Sequence, residues 1–169
     1  LVPAAKRIGH DSISVTKHSK GQAFAMHDPR AFPGLAISYG TSERGACHLH
    51  GIGWAEAAGF GFSAFHLGGE EAKKYSLERQ ALNAKVTQDL ADVADSLIAC
   101  KFTLVALMTL GTQAALLSAL IGREIDAKEL VQAGERMFNL KRLFNCRCGV
   151  TRKDDIIPEL DPLPSTANY

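Results

Sequence analysis

Two short stretches of the chain bring together side chains able to do chemistry. RGACHLH, Arg44 to His50, places the thiol of Cys47 next to the imidazoles of His48 and His50. His48 and His50 would share one side only on an extended strand, and Cys47 would then point the other way. A zinc site built on this stretch would have to recruit Cys146 or Cys148 from the far end of the chain. Two simpler readings stand beside it: a polar turn, or one histidine working as proton donor and acceptor, since imidazole changes charge near neutral pH.

The second stretch is DSLIACKF, Asp95 to Phe102, with a carboxylate and a thiol five positions apart. On a continuous α-helix that offset separates Asp95 and Cys100 by about 140° around the axis, so they could not meet one ligand. A helix that stops near Asp95 would let the following residues turn and bring both groups to one neighbour. A thiolate beside a hydrogen-bonding carboxylate suits an iron-sulfur or organic cofactor. The alternative is a cysteine packed in the core among Leu97, Ile98, Ala99 and Phe102. Two further motifs are weaker. Cys146-Arg147-Cys148 could be a metal pair or a redox pair, but the favoured reading is neither, since nothing close by supplies two further ligands. KHSKG, residues 17–21, could hold a phosphate by charge and free amides, or be a solvated turn.

Elements must carry these groups. DSISVTK, residues 11–17, alternates like a short strand or extended arm. HDPRAFPG, residues 27–34, is a turn that can open a helix through Ala36 to Ser42. Residues 51–69, rich in glycine, alanine and phenylalanine, read as buried and mostly loop. From Ser76 on, Leu82, Val86, Leu90, Val93 and Leu97 recur at the spacing of one apolar helix face. Leu104 to Ile121 is hydrophobic nearly all round, as in a segment lying inside a larger body. Asp126 with Glu129 reads as an N-cap and its capping partner, opening a helix whose stripe is Leu130, Ala133, Met137, Leu140 and Phe144. The tail DDIIPELDPLPSTANY carries three prolines and is expected to be extended, held where it lies on another surface.

The totals agree with one mainly α domain over residues 1–169: an extended, loop-rich part to residue 75, helices from 76 to 145, and a proline-rich strap from 146. With 46% hydrophobic residues the chain can bury a real core. Nineteen Lys and Arg against 18 Asp and Glu give a formal charge of +1, no field to attract nucleic acid or an anionic membrane. Four cysteines without an apolar export signal are expected to be thiols, and a cytoplasmic setting is the default.

Read in order, HSKGQAFAMHDPR, PGLAISYGTSERGACH, DSLIACKF and AGERMFNLKRLFNCRCGVTRKDDIIPE resemble the last domain of the tungsten-dependent aldehyde ferredoxin oxidoreductases. The four blocks stand in the family's order from residue 18 to residue 159. The resemblance implies an irregular helical domain, the C-terminal part of a larger enzyme in which two pterin dithiolenes hold tungsten or molybdenum beside a 4Fe-4S cluster. That enzyme would oxidise a small aldehyde with water to a carboxylic acid and pass two electrons to ferredoxin. In the family a D-x-x-G-L-C segment supplies an aspartate that binds the pterin and a cysteine that is the cluster's fourth ligand. Here Asp95 and Cys100 match at the same offset, with Ile98 and Ala99 in place of the glycine and leucine. The cofactor-binding positions implied are Asp95, Ala99 and Cys100, with Cys100 on the cluster. A histidine near the tungsten as proton relay falls in RGACHLH, at His48 first and His50 in reserve. The other three cluster cysteines and the pterin-cradling β domain would come from preceding polypeptide, so this chain alone would be inactive. The changed Ile98-Ala99 pair motivates a rival reading, a non-catalytic helical remnant that has lost the cofactor.

Overall fold

The computed structural model of the chain describes residues 1–53, 80–106 and 108–160. Most of the glycine-rich stretch, the region from Ser76 to Arg79, and the end of the strap lie outside the described residues. The architecture is mainly helical, with a single two-residue hairpin among the described residues. The elements are α1 (Val2–Ile8), β1 (His18–Ser19), β2 (Gln22–Ala23), α2 (Pro33–Thr41), α3 (Gln80–Ser96), α4 (Lys101–Ala106), α5 (Leu110–Ile121) and α6 (Ala127–Arg147), followed by a 3-10 turn at Arg152–Asp154.

The expected strand over 11–17 is not formed. Instead Ser14 and Thr16 turn their hydroxyls onto the carbonyls of Asp11 and Ile13, three residues back, each at 2.7 Å. Hydroxyls that bond locally compete with strand pairing, which explains the run of turns. The strand pairing falls on the next residues, where His18 pairs with Ala23 and Ser19 with Gln22 across a turn with positive φ at Lys20 and Gly21. Helix α2 starts at Pro33, whose fixed φ and missing N–H suit a first helical position.

Helix α3 is the centre of the domain. It packs against α2 on one side and most extensively against α6 on another. This sandwiching buries far more than the apolar stripe: Thr87, Gln88, Asp89 and Asp92 are buried along with Leu90, Val93 and Ala94. Leu82, by contrast, is exposed. At the crossing Gly134 of α6 lies so close to Asp89 that any Cβ there would collide with the Asp89 carbonyl.

The apolar run Leu104 to Ile121 is not one helix. Thr109 accepts from the Thr112 amide at 3.1 Å, capping a new helix, α5. Only Leu110, Gln113 and Ala114 of α5 are buried, while Leu116, Leu120 and Ile121 are exposed. The N-cap of α6 is as expected, with Asp126 Oδ1 accepting from the Glu129 amide at 2.7 Å. The Glu129 carboxylate, however, is taken by Arg123. The stripe of α6 also differs. Leu130 and Gly134 are buried, but Leu140 and Phe144 are exposed, because the face against α3 continues through Met137 and Lys141. The strap is extended from Ile156 and is held: Ser19 bonds the Ile156 carbonyl at 3.0 Å and Lys17 the Glu159 carbonyl at 2.8 Å. KHSKG is therefore no phosphate cradle. Its two lysines are spent on the strap, Lys20 pairing with Asp155 at 2.8 Å.

Candidate functional site

Helix α2 delivers RGACHLH to the end of α3. Ser42 caps the exit by accepting from the Arg44 amide at 3.1 Å. Gly45 follows with φ +94°, packed so tightly on the Ser19 carbonyl that a side chain would not fit. The chain then turns, with the Cys47 amide on the Gly45 carbonyl at 2.7 Å and the His50 amide on the Cys47 carbonyl at 3.3 Å. Cys47 is buried in this turn.

Because the backbone turns, the two imidazoles part. The His48 ring stacks on His27, with centroids 4.7 Å apart and planes 15° apart. Burial lowers the pKa of both, and the charge of His27 adds to the effect on His48, so both are poised as neutral bases. His27, read from the sequence as part of a turn, was not marked by any spacing pattern.

His50 enters a different network. Its Nδ1 is 2.5 Å from Glu43 Oε1, and its Nε2 lies 3.8 Å from Asp95 Oδ2 and 3.5 Å from Arg44 Nη1. The Glu43 carboxylate, able only to accept, sets Nδ1 as the protonated nitrogen. Burial pushes the Glu43 carboxyl up, but the His50 hydrogen bond and the charges of His50 and Lys141 outweigh it and bring the pKa down to about 2. Lys141 also bonds Asp92, whose pKa burial keeps raised against that pull. Lys141 itself is held above its ordinary value by the two carboxylates in spite of its own burial.

Among the described residues, the metal-ligating side chains that converge are Glu43, His50 and Asp92, with one donor atom each within 4.8 Å of the others. Lys141 already supplies the positive charge there, 3.3 Å from Glu43 and bonded to Asp92. His50 Nδ1 is committed to Glu43 as well. Lys141 thus already engages one oxygen of each carboxylate, while Asp92 Oδ2 is buried with no hydrogen-bond partner among the described residues. The zinc reading fails: Cys146 and Cys148 are exposed at the end of α6 and form no ligand group with His48 or His50 among the described residues.

Asp95 and Cys100 lie on the two sides of a bend. Helix α3 ends at Ser96, and Ile98 takes a left-handed φ of +55°. The Ile98 amide donates to the Asp95 carbonyl at 3.1 Å and the Ala99 amide to the Ala94 carbonyl at 2.8 Å. These are the paired bonds of a Schellman C-cap, with Ile98 in the position usually held by glycine. Ala99 packs against the cluster of Ile52, Leu90, Ala94 and Leu110. Lys101 pairs with Asp95 Oδ1 at 2.7 Å, and the Asp95 side chain stays 42% exposed. Cys100 is exposed, not packed in the core. The sequence reading singled out Asp95 and Cys100 but not Glu43 and Lys101, whose contacts depend on which carboxylate or imidazole the fold brings to them.

The comparisons with known proteins bear on the family to which the chain belongs. The family described as aldehyde ferredoxin oxidoreductase, domains 2 & 3, matches residues 2–165. The tungsten-containing aldehyde ferredoxin oxidoreductase of Pyrococcus furiosus is 28% identical over 173 residues, covering 97% of this chain and 26% of the relative. That of Thermococcus kodakarensis is 27% identical over 175 residues, again covering 97% of this chain and 26% of the relative. The Pyrococcus horikoshii enzyme is 28% identical, covering 88% of this chain and 24% of the relative. The chain thus spans about a quarter of the length of these relatives. With nearly all its residues accounted for by that family, the chain belongs to the aldehyde ferredoxin oxidoreductases.

Proposed function

We propose that this chain forms the cofactor-facing C-terminal part of a tungsten- or molybdenum-pterin oxidoreductase that converts a small aldehyde and water to a carboxylic acid, with ferredoxin as electron acceptor. The bend at Leu97–Ala99 is the observation that carries the reading. It separates α3 from α4 and leaves Asp95 partly exposed and Cys100 exposed on one short segment. The donor chemistry fits the implied groups. Asp95 keeps lone pairs available on its exposed side for the N–H donors of a pterin, as charge-assisted bonds. Cys100 offers a thiolate of the kind iron in a 4Fe-4S cluster takes. The remaining cluster ligands would come from the N-terminal domains or a partner subunit. When bound, the metal-pterin and cluster would supply the two-electron oxidation and the electron path; the protein's share is to bind, orient and move protons.

For the proton, His48 remains the first choice: burial keeps it neutral and able to accept. His50 is the reserve, with Nδ1 already committed to Glu43. The changed Ile98-Ala99 pair does not undo the reading, because the bend is present with isoleucine at its left-handed position. No helix among the described residues is long and apolar enough to cross a membrane.

The test is to copurify the chain with the product that supplies the N-terminal domains and to measure iron, tungsten and molybdenum, with and without Cys100→Ser. Loss of the cluster absorbance in the serine variant supports the proposal. A folded complex lacking all three metals, or a cluster untouched by the substitution, would favour the non-catalytic remnant instead.

A further inference from the structure

The bend that presents Asp95 and Cys100 is held shut in spite of an unfavourable residue. Ile98 is β-branched and left-handed, a conformation that only glycine and a few short polar residues adopt at low cost. The residue is 94% exposed, so its own burial does not offset that strain. The two Schellman bonds and the packing of Leu97 and Ala99 hold the reversal from within, and a further tie can reach it from α4.

Lys101 has the position and the bonds for this. Its side chain is 12% exposed, and its ammonium reaches back over the bend to Asp95 Oδ1 at 2.7 Å and to the Ala91 carbonyl at 2.5 Å. Both partners are in the last turns of α3, so one side chain ties the start of α4 to the end of α3. The electrostatics point the same way. A cation in the first turn of α4 is unfavourable for that helix, but it lies at the C-terminal end of α3, where the helix dipole favours positive charge. The remaining Asp95 oxygen, Oδ2, faces His50 Nε2 at 3.8 Å.

We propose that Lys101 is a positioning residue, a clamp that closes the Ser96–Cys100 bend against the strain at Ile98 and so fixes where Asp95 and Cys100 stand. Its service to a cofactor rests on the function proposed above; the clamp itself is a property of the chain without one. Asp95 keeps its second oxygen for a ligand because a single ammonium holds only the first.

Amide hydrogen exchange of the full 169-residue chain, read residue by residue by NMR, tests it. Lys101→Met should speed exchange of the Ala99 amide about fivefold, the effect of losing a modest ion pair on a local opening, while the Leu90 amide in the middle of α3 is unchanged. Adding Ile98→Gly should return Ala99 toward its original rate, and Lys101→Arg should keep it. An unchanged Ala99 rate in Lys101→Met, or equal acceleration at Ala99 and Leu90, would overturn the clamp. Should Lys101→Met fail to fold, Ile98→Gly alone decides: slower Ala99 exchange supports a strained bend, and an unchanged rate refutes it. Cofactor content plays no part in these readings, so a cluster that survives Cys100→Ser would remove the proposed function and leave the clamp result standing.

Discussion

Among the lysine–aspartate pairs that tie separate segments of the described residues together, those of the strap and of the bend are finished differently. Lys20 and Asp155 meet at 2.8 Å with side chains 8% and 13% exposed, and Arg142 completes Asp155 with two bonds at 2.9 and 2.6 Å. Every oxygen of that acid is used, and the result is a latch of strap to hairpin and α6. Lys101 and Asp95 meet at nearly the same distance, 2.7 Å, but the acid is left 42% exposed with one oxygen only approached by His50. The strap pair saturates its carboxylate; the bend pair orients its carboxylate and leaves it able to accept more. A region that only holds the fold together satisfies its polar groups internally, whereas a region that meets a ligand keeps some of them unfilled.

Acid offers the strongest way to break this contrast, from the side of the bend. Glu43, which holds His50, has its folded pKa lowered from 4.5 to about 2. A lowered carboxylate contributes stability that is present above the unfolded value and is lost as the pH falls from 4.5 toward 2, here roughly 3 kcal/mol in all. Asp92 works in the opposite sense, since a raised folded pKa makes its burial less costly as it protonates. The Glu43 share is therefore read as a difference: urea unfolding from pH 7 downward should lose more stability in the original chain than in Glu43→Gln, and parallel curves would remove Glu43 from the network.

Arg142→Met attacks the strap instead. It leaves the buried Asp155 with Lys20 as its one remaining ion-pair partner among the described residues and should cost about 2 kcal/mol in thermal or urea unfolding. The Ala99 amide, on the other side of the contrast, should keep its exchange rate relative to the global stability. Smallest is Ile98→Gly, which relieves the left-handed strain at an exposed site. It should stabilise the chain by about 1 kcal/mol, an increase of about 3 °C in Tm. A loss of stability there would mean the isoleucine side chain makes a contact worth more than its strain.

Much of the helical framework was legible because capping and periodicity are local. Asp126 opens α6 where its spacing to Glu129 says it should, and the recurrence of Leu90 and Val93 marks the core face of α3. Periodicity misled where burial was set by neighbours. Asp89 and Asp92 are buried because α3 lies between α2 and α6, and Leu140 and Phe144 are exposed because α6 turns Met137 and Lys141 inward. KHSKG reads as a phosphate site or a solvated turn, and neither reading anticipates that the strap claims both lysines from more than a hundred residues away.

At the site, residue types and offset alone determined that Asp95 and Cys100 could act together only if the helix ended between them, since helix geometry allows no other way. Only the folded chain decided that it does end, with isoleucine where glycine is expected, and that His50 goes to Glu43 and Asp95 while His48 goes to His27. Those choices are made by groups distant along the chain, and an ion pair or a ring stack leaves no periodic mark in the sequence that forms it.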